Sequence, residues 1–304
     1  MRFFAVVVVS LSFAVAAFSQ PCVDAAKQVK PVLPDAAAKN YEANLAVARE
    51  AYNRNPNVAD ELIWFGRRTA YLGEYKEAIR IFTEGIKKFP GDARLYRHRG
   101  HRYITLRCFD DAIRDFETAS RLIKGKPDSI EPDGIPNERN TPTSTLQSNI
   151  WYHLGLAYYL KGEFRNAERA YREAWKVSKN DDMRVATGYW HYMVLRRMGK
   201  TAEAGRVLAQ FSENLAVIEN DDYLKLIRLN KGAANAADMI ASIGGAAETL
   251  GSASLGYGLG NYHLYNGDRG KAAELFRKVV AGDQWASFGY IAAEAELRRL
   301  KPGK

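Results

Sequence analysis

One period constrains this chain more than any other feature of its sequence: segments starting at Ala59, Ala93, Ser148, Val185 and Ala253 share a 34-residue frame. Its eighth position holds Gly66, Gly100, Gly155 and Gly260, with Tyr192 as the exception. The fifteenth holds Gly73, Gly162, Gly199 and Gly267, with Arg107 as the exception. The twentieth is Ala78, Ala112, Ala167, Ala204 and Ala272, and the twenty-fourth is Phe82, Phe116, Tyr171, Leu208 and Phe276. Small residues at eight and twenty let two antiparallel helices approach closely. A glycine at fifteen can take the left-handed conformation that ends the first helix. The bulky residue at twenty-four fills the space between one hairpin and the next.

This pattern resembles the tetratricopeptide repeat (TPR) family over nearly all of residues 41–300, most clearly in "WYHLGLAYYLKGEFRNAERAYREAW" at 151–175 and "LIWFGRRTAYLGEYKEAIRIFTEGIKKFP" at 62–90. The resemblance implies an all-α, right-handed TPR superhelix, an α-solenoid of antiparallel helix pairs, similar to exported bacterial TPR adaptors. Repeats are expected near 59–92, 93–126, 148–181, 185–218 and 253–286, with a degenerate repeat at 219–252. A lone helix over Tyr41–Pro56 would cap the front. A helix over 287–300 would cap the back, with Trp285, Phe288, Ile291, Ala292 and Ala295 on one face and Glu294, Glu296, Arg298 and Arg299 elsewhere. Residues 20–40 read as an extended N-terminal segment. One interruption stands out: residues 124–147 hold four of the ten prolines and add 21 residues to the ruler. Such a loop is either functional or mobile, and Ile130 and Ile135 could pin it into the groove.

Residues 1–19, MRFFAVVVVSLSFAVAAFS, read as a signal peptide: Arg2, an uncharged and mainly apolar run, then Ala17 and Ser19 at the small-residue spacing before a cut. The chain is therefore expected to be exported, periplasmic or secreted, with no transmembrane span after cleavage. Export permits a Cys22–Cys108 disulfide, with free or intermolecular thiols as the alternative. The net charge of +9 would suit nucleic acid in a cytoplasmic protein. Export leaves proteins, peptides or anionic cell-envelope components as partners, and nucleic acid is not expected.

The resemblance also implies a binding surface on the first helices. Its groove positions carry over to Arg67 and Tyr71 in the first repeat, then Arg94, Arg97, His98 and His101 in the second. The third gives Asn149, Tyr152, His153, Leu156 and Tyr159; the fourth, Tyr189, Trp190, Met193 and Arg197; the last, Tyr257, Asn261 and Tyr265. Arginine heads and tyrosine faces suit a peptide with carboxylates and apolar anchors. Tyr152, Tyr159, Tyr189 and Trp190 should form one aromatic strip beside Arg97 and Arg197. The family's clamp for a terminal carboxylate needs lysine and asparagine where this chain has Ile63, Arg67, Arg94 and His98, and is not matched.

His98, His101 and His153 could hold Zn²⁺ or Cu²⁺, but no carboxylate or free cysteine neighbours them in the pattern, and solvated groove histidines are the plainer expectation. Gly256-x-Gly258-x-Gly260 lacks a preceding strand and is not a dinucleotide loop. Neither a G-x-S-x-G, an H-E-x-x-H nor a Walker loop occurs. The expectation is a non-catalytic scaffold without cofactor that binds protein or peptide in its groove. A metal- or small-ligand-binding protein using the three histidines is the alternative.

Overall fold

The computed structural model describes the backbone of residues 21–243 and 250–300, and the side chains of 21–243 and 253–300. The leader read over residues 1–19 lies outside them. The described residues fold into helices and connections, with one isolated bridge between Ile130 and Thr145. In order they are α1 (Pro21–Ala25), α2 (Asp35–Arg54), α3 (Ala59–Tyr71), α4 (Tyr75–Lys88), α5 (Ala93–Thr105), α6 (Phe109–Leu122), α7 (Leu146–Lys161) and α8 (Phe164–Val177). Then follow α9 (Asp181–Arg197), α10 (Thr201–Leu208), α11 (Asp221–Asn230), α12 (Ala236–Ile243), α13 (Leu250–Tyr265), α14 (Arg269–Ala281) and α15 (Phe288–Leu300). From α2 to α10, and from α12 to α15, each helix packs on the next, while α11 packs on α9 and α13, giving an α-solenoid.

The repeat positions explain that packing atom by atom. A Cβ added at Gly66 would meet the Phe82 ring at 2.5 Å, one at Gly100 the Phe116 ring at 2.9 Å, and one at Gly155 the Tyr171 ring at 2.8 Å. The bulky residue at position twenty-four therefore fills the notch left by the glycine of its own hairpin. It reaches the next hairpin too: Phe82 stacks on His98 at 5.7 Å and Phe116 on His153 at 5.7 Å. The repeat with Tyr192 at position eight shifts the notch by one turn, and Gly188 takes the Phe211 ring instead. All five position-twenty alanines are 0% exposed, leaving no room for a larger side chain. At position fifteen Gly73, Gly162, Gly199 and Gly267 have φ between 73° and 93°, as the left-handed turn requires.

The N-terminal segment departs from the extended form expected for residues 20–40. α1 forms there, and α2 starts at Asp35, directly after Pro34, where the alanine-rich run Ala36–Ala38 favours helix. Cys22 and Cys108 are joined, with Cα atoms 5.8 Å apart, so the segment is fastened to the turn after α5. Cys108 is 2% exposed, in the same buried cluster as Val23.

The array also closes on itself. α15 packs on α13 and α14 and reaches back to α7. Trp285 stacks on Tyr75 at the start of α4, 6.1 Å between centroids. The inner side of the solenoid is thereby filled by the chain's own C-terminal helix.

Candidate functional site

That closure decides the fate of the expected aromatic strip. Tyr152 is 6% exposed, Tyr189 and Tyr257 are 1%, and Tyr159, Trp190 and Asn261 are 0%. Trp190 stacks on Tyr257 at 5.9 Å and meets Tyr159 edge-on at 5.3 Å, and the Tyr257 hydroxyl donates to the Tyr159 hydroxyl at 2.7 Å. Tyr189 stacks on Tyr223 at 5.6 Å. Asn261 Nδ2 lies 3.2 Å from the Met193 sulfur. These side chains are core, not an open groove lining. Arg197 does not flank a strip either: its Nη1 donates to Glu296 Oε2 at 2.7 Å, and Glu296, placed on the polar side of α15 by its sequence, is 0% exposed. Arg299 donates to the other oxygen of Glu296 and to the carbonyls of Tyr159 and Leu160. Arg94 sits at the N-terminus of α5, half exposed, and is paired with Asp92 and Asp60, which hold its guanidinium charged.

At the front of the array the concave face stays partly open. Here α3 presents Trp64, Arg67, Arg68 and Tyr71 at helical spacing. The Arg67 guanidinium lies 4.3 Å from the Trp64 ring and that of Arg68 4.9 Å, while Tyr71 approaches Tyr41 of α2 at 6.1 Å. Trp64 occupies a groove position of the repeat and could have been named from that register. Arg68 lies one residue beyond one, so the register did not mark it.

Behind this row, α3, α4 and α5 enclose a cavity of about 120 Å³ lined by Arg67, Tyr71, Arg97, His98, His101, Arg102 and a residue no repeat register marks, Glu131. Glu131 comes from the proline-rich loop and is 9% exposed. Its Oε1 accepts from Arg97 Nη2 at 2.8 Å and lies 4.0 Å from His98 Nε2. Arg97 Nη1 lies 3.1 Å from His98 Nδ1, and because a guanidinium only donates, Nδ1 accepts and Nε2 carries the proton. Arg67 Nη2 donates to the carbonyl of Pro132 and Arg68 Nη1 to that of Gly134, both at 2.8 Å. Ile130 and Ile135, expected to pin the loop, are 69% and 54% exposed; the loop is held by a carboxylate and by main-chain carbonyls.

The electrostatics of the cavity are unbalanced. Three guanidiniums face one carboxylate. Burial, the largest cause, pushes Arg97 down despite Glu131, and pushes Arg102 down to about 10. Among the described residues Arg102 has no carboxylate within ion-pair distance, and its nearest aromatic face is Tyr75 at 5.7 Å. Arg97 Nε and Glu131 Oε2 are buried without a hydrogen-bond partner. Burial first, then the neighbouring arginines, holds His98 and His101 well below the ordinary histidine range and His153 down to about 3. These imidazoles are held neutral, with His98 and His153 buried and His101 half-buried. His153 Nδ1 bonds the carbonyl of Asn149 at 2.6 Å, and Phe288 of α15 packs against both His101 and His153. Their ring nitrogens do not converge: among the described residues the group of ligand atoms within 4.8 Å of one another is Cys22, Cys108 and Asp111, whose two sulfurs are bonded to each other.

Residues 148–181, covering α7, α8 and the connection to α9, match the tetratricopeptide repeat family. Residues 148–181 form a tetratricopeptide repeat. Among solved structures it is similar to a tetratricopeptide repeat protein from Parabacteroides merdae, at 16% identity, TM-score 0.48, over 88% of this chain and 94% of that one. It is also similar to YrrB, described as a TPR protein with an unusual peptide-binding site, at 18% identity, TM-score 0.43, over 82% and 97% of the two chains. A thermophilic TPR protein of Thermus thermophilus is 20% identical, with TM-score 0.44, over 65% of this chain and 92% of that one.

Proposed function

We propose that this protein is an exported, non-catalytic TPR scaffold that binds a protein or peptide partner at the front of its concave face, on α3 and α5. The observation that carries the reading is the row of half-exposed Trp64, Arg68 and Tyr71 around the buried Arg67. It combines flat aromatic faces with guanidinium donors, the residue types that dominate binding energy at interfaces. The rest of the expected groove is closed by α15, so the front is where the concave side has donors and rings to offer. Export is supported by the leader-like residues 1–19 and by a disulfide of the kind that persists in oxidising compartments.

A photo-crosslinking residue placed at Tyr41, beside the row, should capture a specific protein in cells, and Trp64→Ala should abolish that capture. The same residue at Lys87, on the outer helix α4, should not give the product. Identical products from both positions would rule out the front face. N-terminal sequencing of the chain recovered from the cell envelope or medium should begin at Gln20. Recovery of the full leader in the cytoplasmic fraction would contradict export.

A further inference from the structure

The segment Glu131–Gly134 lies on α3 and α5 as a bound peptide would. Its main chain is held through the carbonyls of Pro132 and Gly134, which accept from Arg67 and Arg68. Any peptide offers such acceptors. The selective contact is the Glu131 carboxylate on Arg97 at 2.8 Å, beside the neutral His98. Apolar side chains take no part, since Ile130 and Ile135 face solvent.

The fit is also incomplete. Arg102 lines the same cavity without a carboxylate among the described residues, and Glu131 Oε2 and Arg97 Nε stay unpaired. Asp133 does not fill the gap: its Oδ2 is buried without a partner, and its carboxyl is pushed up by burial and by Glu219. A desolvated cavity with surplus positive charge favours a second anion. We propose that Glu131–Pro132–Asp133–Gly134 is an internal occupant of a recognition site for an extended acidic segment of a partner protein. That partner displaces the loop by bringing a second carboxylate to Arg102. The inference rests on the reading of the front face as a binding surface and adds the chemistry of what binds there and what must leave first.

The tether makes the internal occupant a strong competitor. A loop anchored at both ends presents its segment at an effective concentration on the order of millimolar. A free peptide at micromolar concentration therefore binds poorly until the loop is dislodged. Gly134 offers a way to dislodge it without altering the receptor side. A Cβ there would run into the Tyr71 hydroxyl and come within 2.9 Å of Arg67 Nη2.

The test uses a fluorescein-labelled peptide, DSIEPDGIPN, identical to residues 128–137, and fluorescence anisotropy with the full mature chain. Gly134→Val and Glu131→Gln should each bind it at least tenfold more tightly than the unaltered chain. Replacing the peptide's glutamate by glutamine should weaken binding at least tenfold, and adding Arg97→Ala to Gly134→Val should abolish it. A peptide with a second glutamate, DSIEEDGIPN, should bind more tightly than the parent through Arg102 and lose that advantage in Arg102→Gln. Melting curves come first; where one loop variant does not fold, the other carries the comparison. The unaltered chain supplies a further readout: saturating two-glutamate peptide should speed hydrogen exchange at the Glu131 amide, which donates to the Ser144 carbonyl at 3.1 Å. Equal affinities for the loop variants and the unaltered chain, equal binding of the glutamate and glutamine peptides, or unchanged exchange would each overturn the inference. If the peptides fail while Tyr41 still captures a partner, the acidic-segment inference falls and the front-face reading stands. Failure of both removes both.

Discussion

Arg107 Nε donates to Glu294 Oε2 at 2.8 Å, joining the turn after α5 to the last helix across 187 residues of chain. The same guanidinium donates to the Trp285 carbonyl at 2.9 Å and lies 3.9 Å from the Trp285 ring. Arg107 stands where four other repeats have glycine, and it adopts the same left-handed conformation, φ 64°. That conformation costs a non-glycine residue about 1–2 kcal/mol. Hydrogen bonds to a charged group contribute about 1.5–3 kcal/mol each, more than enough to hold the strained residue in place. The exception in the ruler is thus the residue that locks the ring.

Arg107→Gly should accordingly destabilise the protein although it relieves backbone strain. The expected net loss is about 1–5 kcal/mol, the difference between the two lost charged contacts and the recovered strain. Hydrogen exchange of α15 amides should accelerate while that of α5 and α6 changes little. An unchanged or raised melting temperature with unchanged α15 exchange would show that the contact does not hold the closure.

Trp190→Ala tests whether the middle of the concave side is core. Trp190 is 0% exposed among Tyr159, Tyr223 and Tyr257. Truncating a large buried aromatic costs about 3–5 kcal/mol. The melting temperature should fall by several degrees, and any loss of partner binding should track that instability. A variant that melts normally yet fails to bind would put Trp190 back on a surface.

The hairpins were legible because their packing needs fixed residue types at fixed spacing: Gly66 with Phe82, Gly100 with Phe116, Gly260 with Phe276. Repeat register also gives the side from which a first-helix side chain leaves. It does not say what covers that side. Glu296 is written like the exposed residues around it in α15, and only its partner Arg197, 99 residues earlier, makes it a buried anchor. Glu131 lies in a loop with no register, yet it supplies the cavity's carboxylate. Both sit in segments that fold back on the array, and long-range pairing of single charges leaves no periodic trace.

The three neutral histidines make stability depend on pH. His98 faces Arg97, Arg67 and the Glu131 carboxylate; His101 faces Arg102 and His153; His153 is under the influence of Arg97 and Arg102. The unfolded chain takes up these protons near pH 6.5. The folded chain resists, in the case of His153 down to about 3. Between those values the unfolded state binds more protons, so stability is full above about pH 7.5 and falls as the pH drops. At pH 5 a buried histidine of this kind has lost about 2 kcal/mol relative to pH 8. Melting temperature should be level from pH 8 to 7 and decline between 6.5 and 5, before most carboxylates titrate. His153→Asn should flatten part of that decline, and a profile level down to pH 5 in the unaltered protein would show the imidazoles to be solvated.

Reduction of Cys22–Cys108 should weaken the whole fold rather than only release the N-terminus. The bond spans a sequence separation of 86 residues, which includes α2 to α5. Closing a loop of that size removes unfolded-state entropy worth up to about 4–5 kcal/mol in the chain-entropy model. The bond also presses the segment onto the first repeat: Lys76 N donates to Gln28 Oε1 at 2.9 Å, Lys30 pairs with Glu74, and Pro31 covers Gly73. The oxidised protein should show no reactive thiol in the native state. Dithiothreitol should expose two thiols, lower the melting temperature by several degrees, and raise exchange at Lys76 more than at α13. The double variant Cys22→Ala/Cys108→Ala should melt like the reduced protein and be indifferent to dithiothreitol. Two reactive thiols in protein purified from the cell envelope, or equal melting temperatures with and without reductant, would mean that the bond neither forms there nor supports the fold.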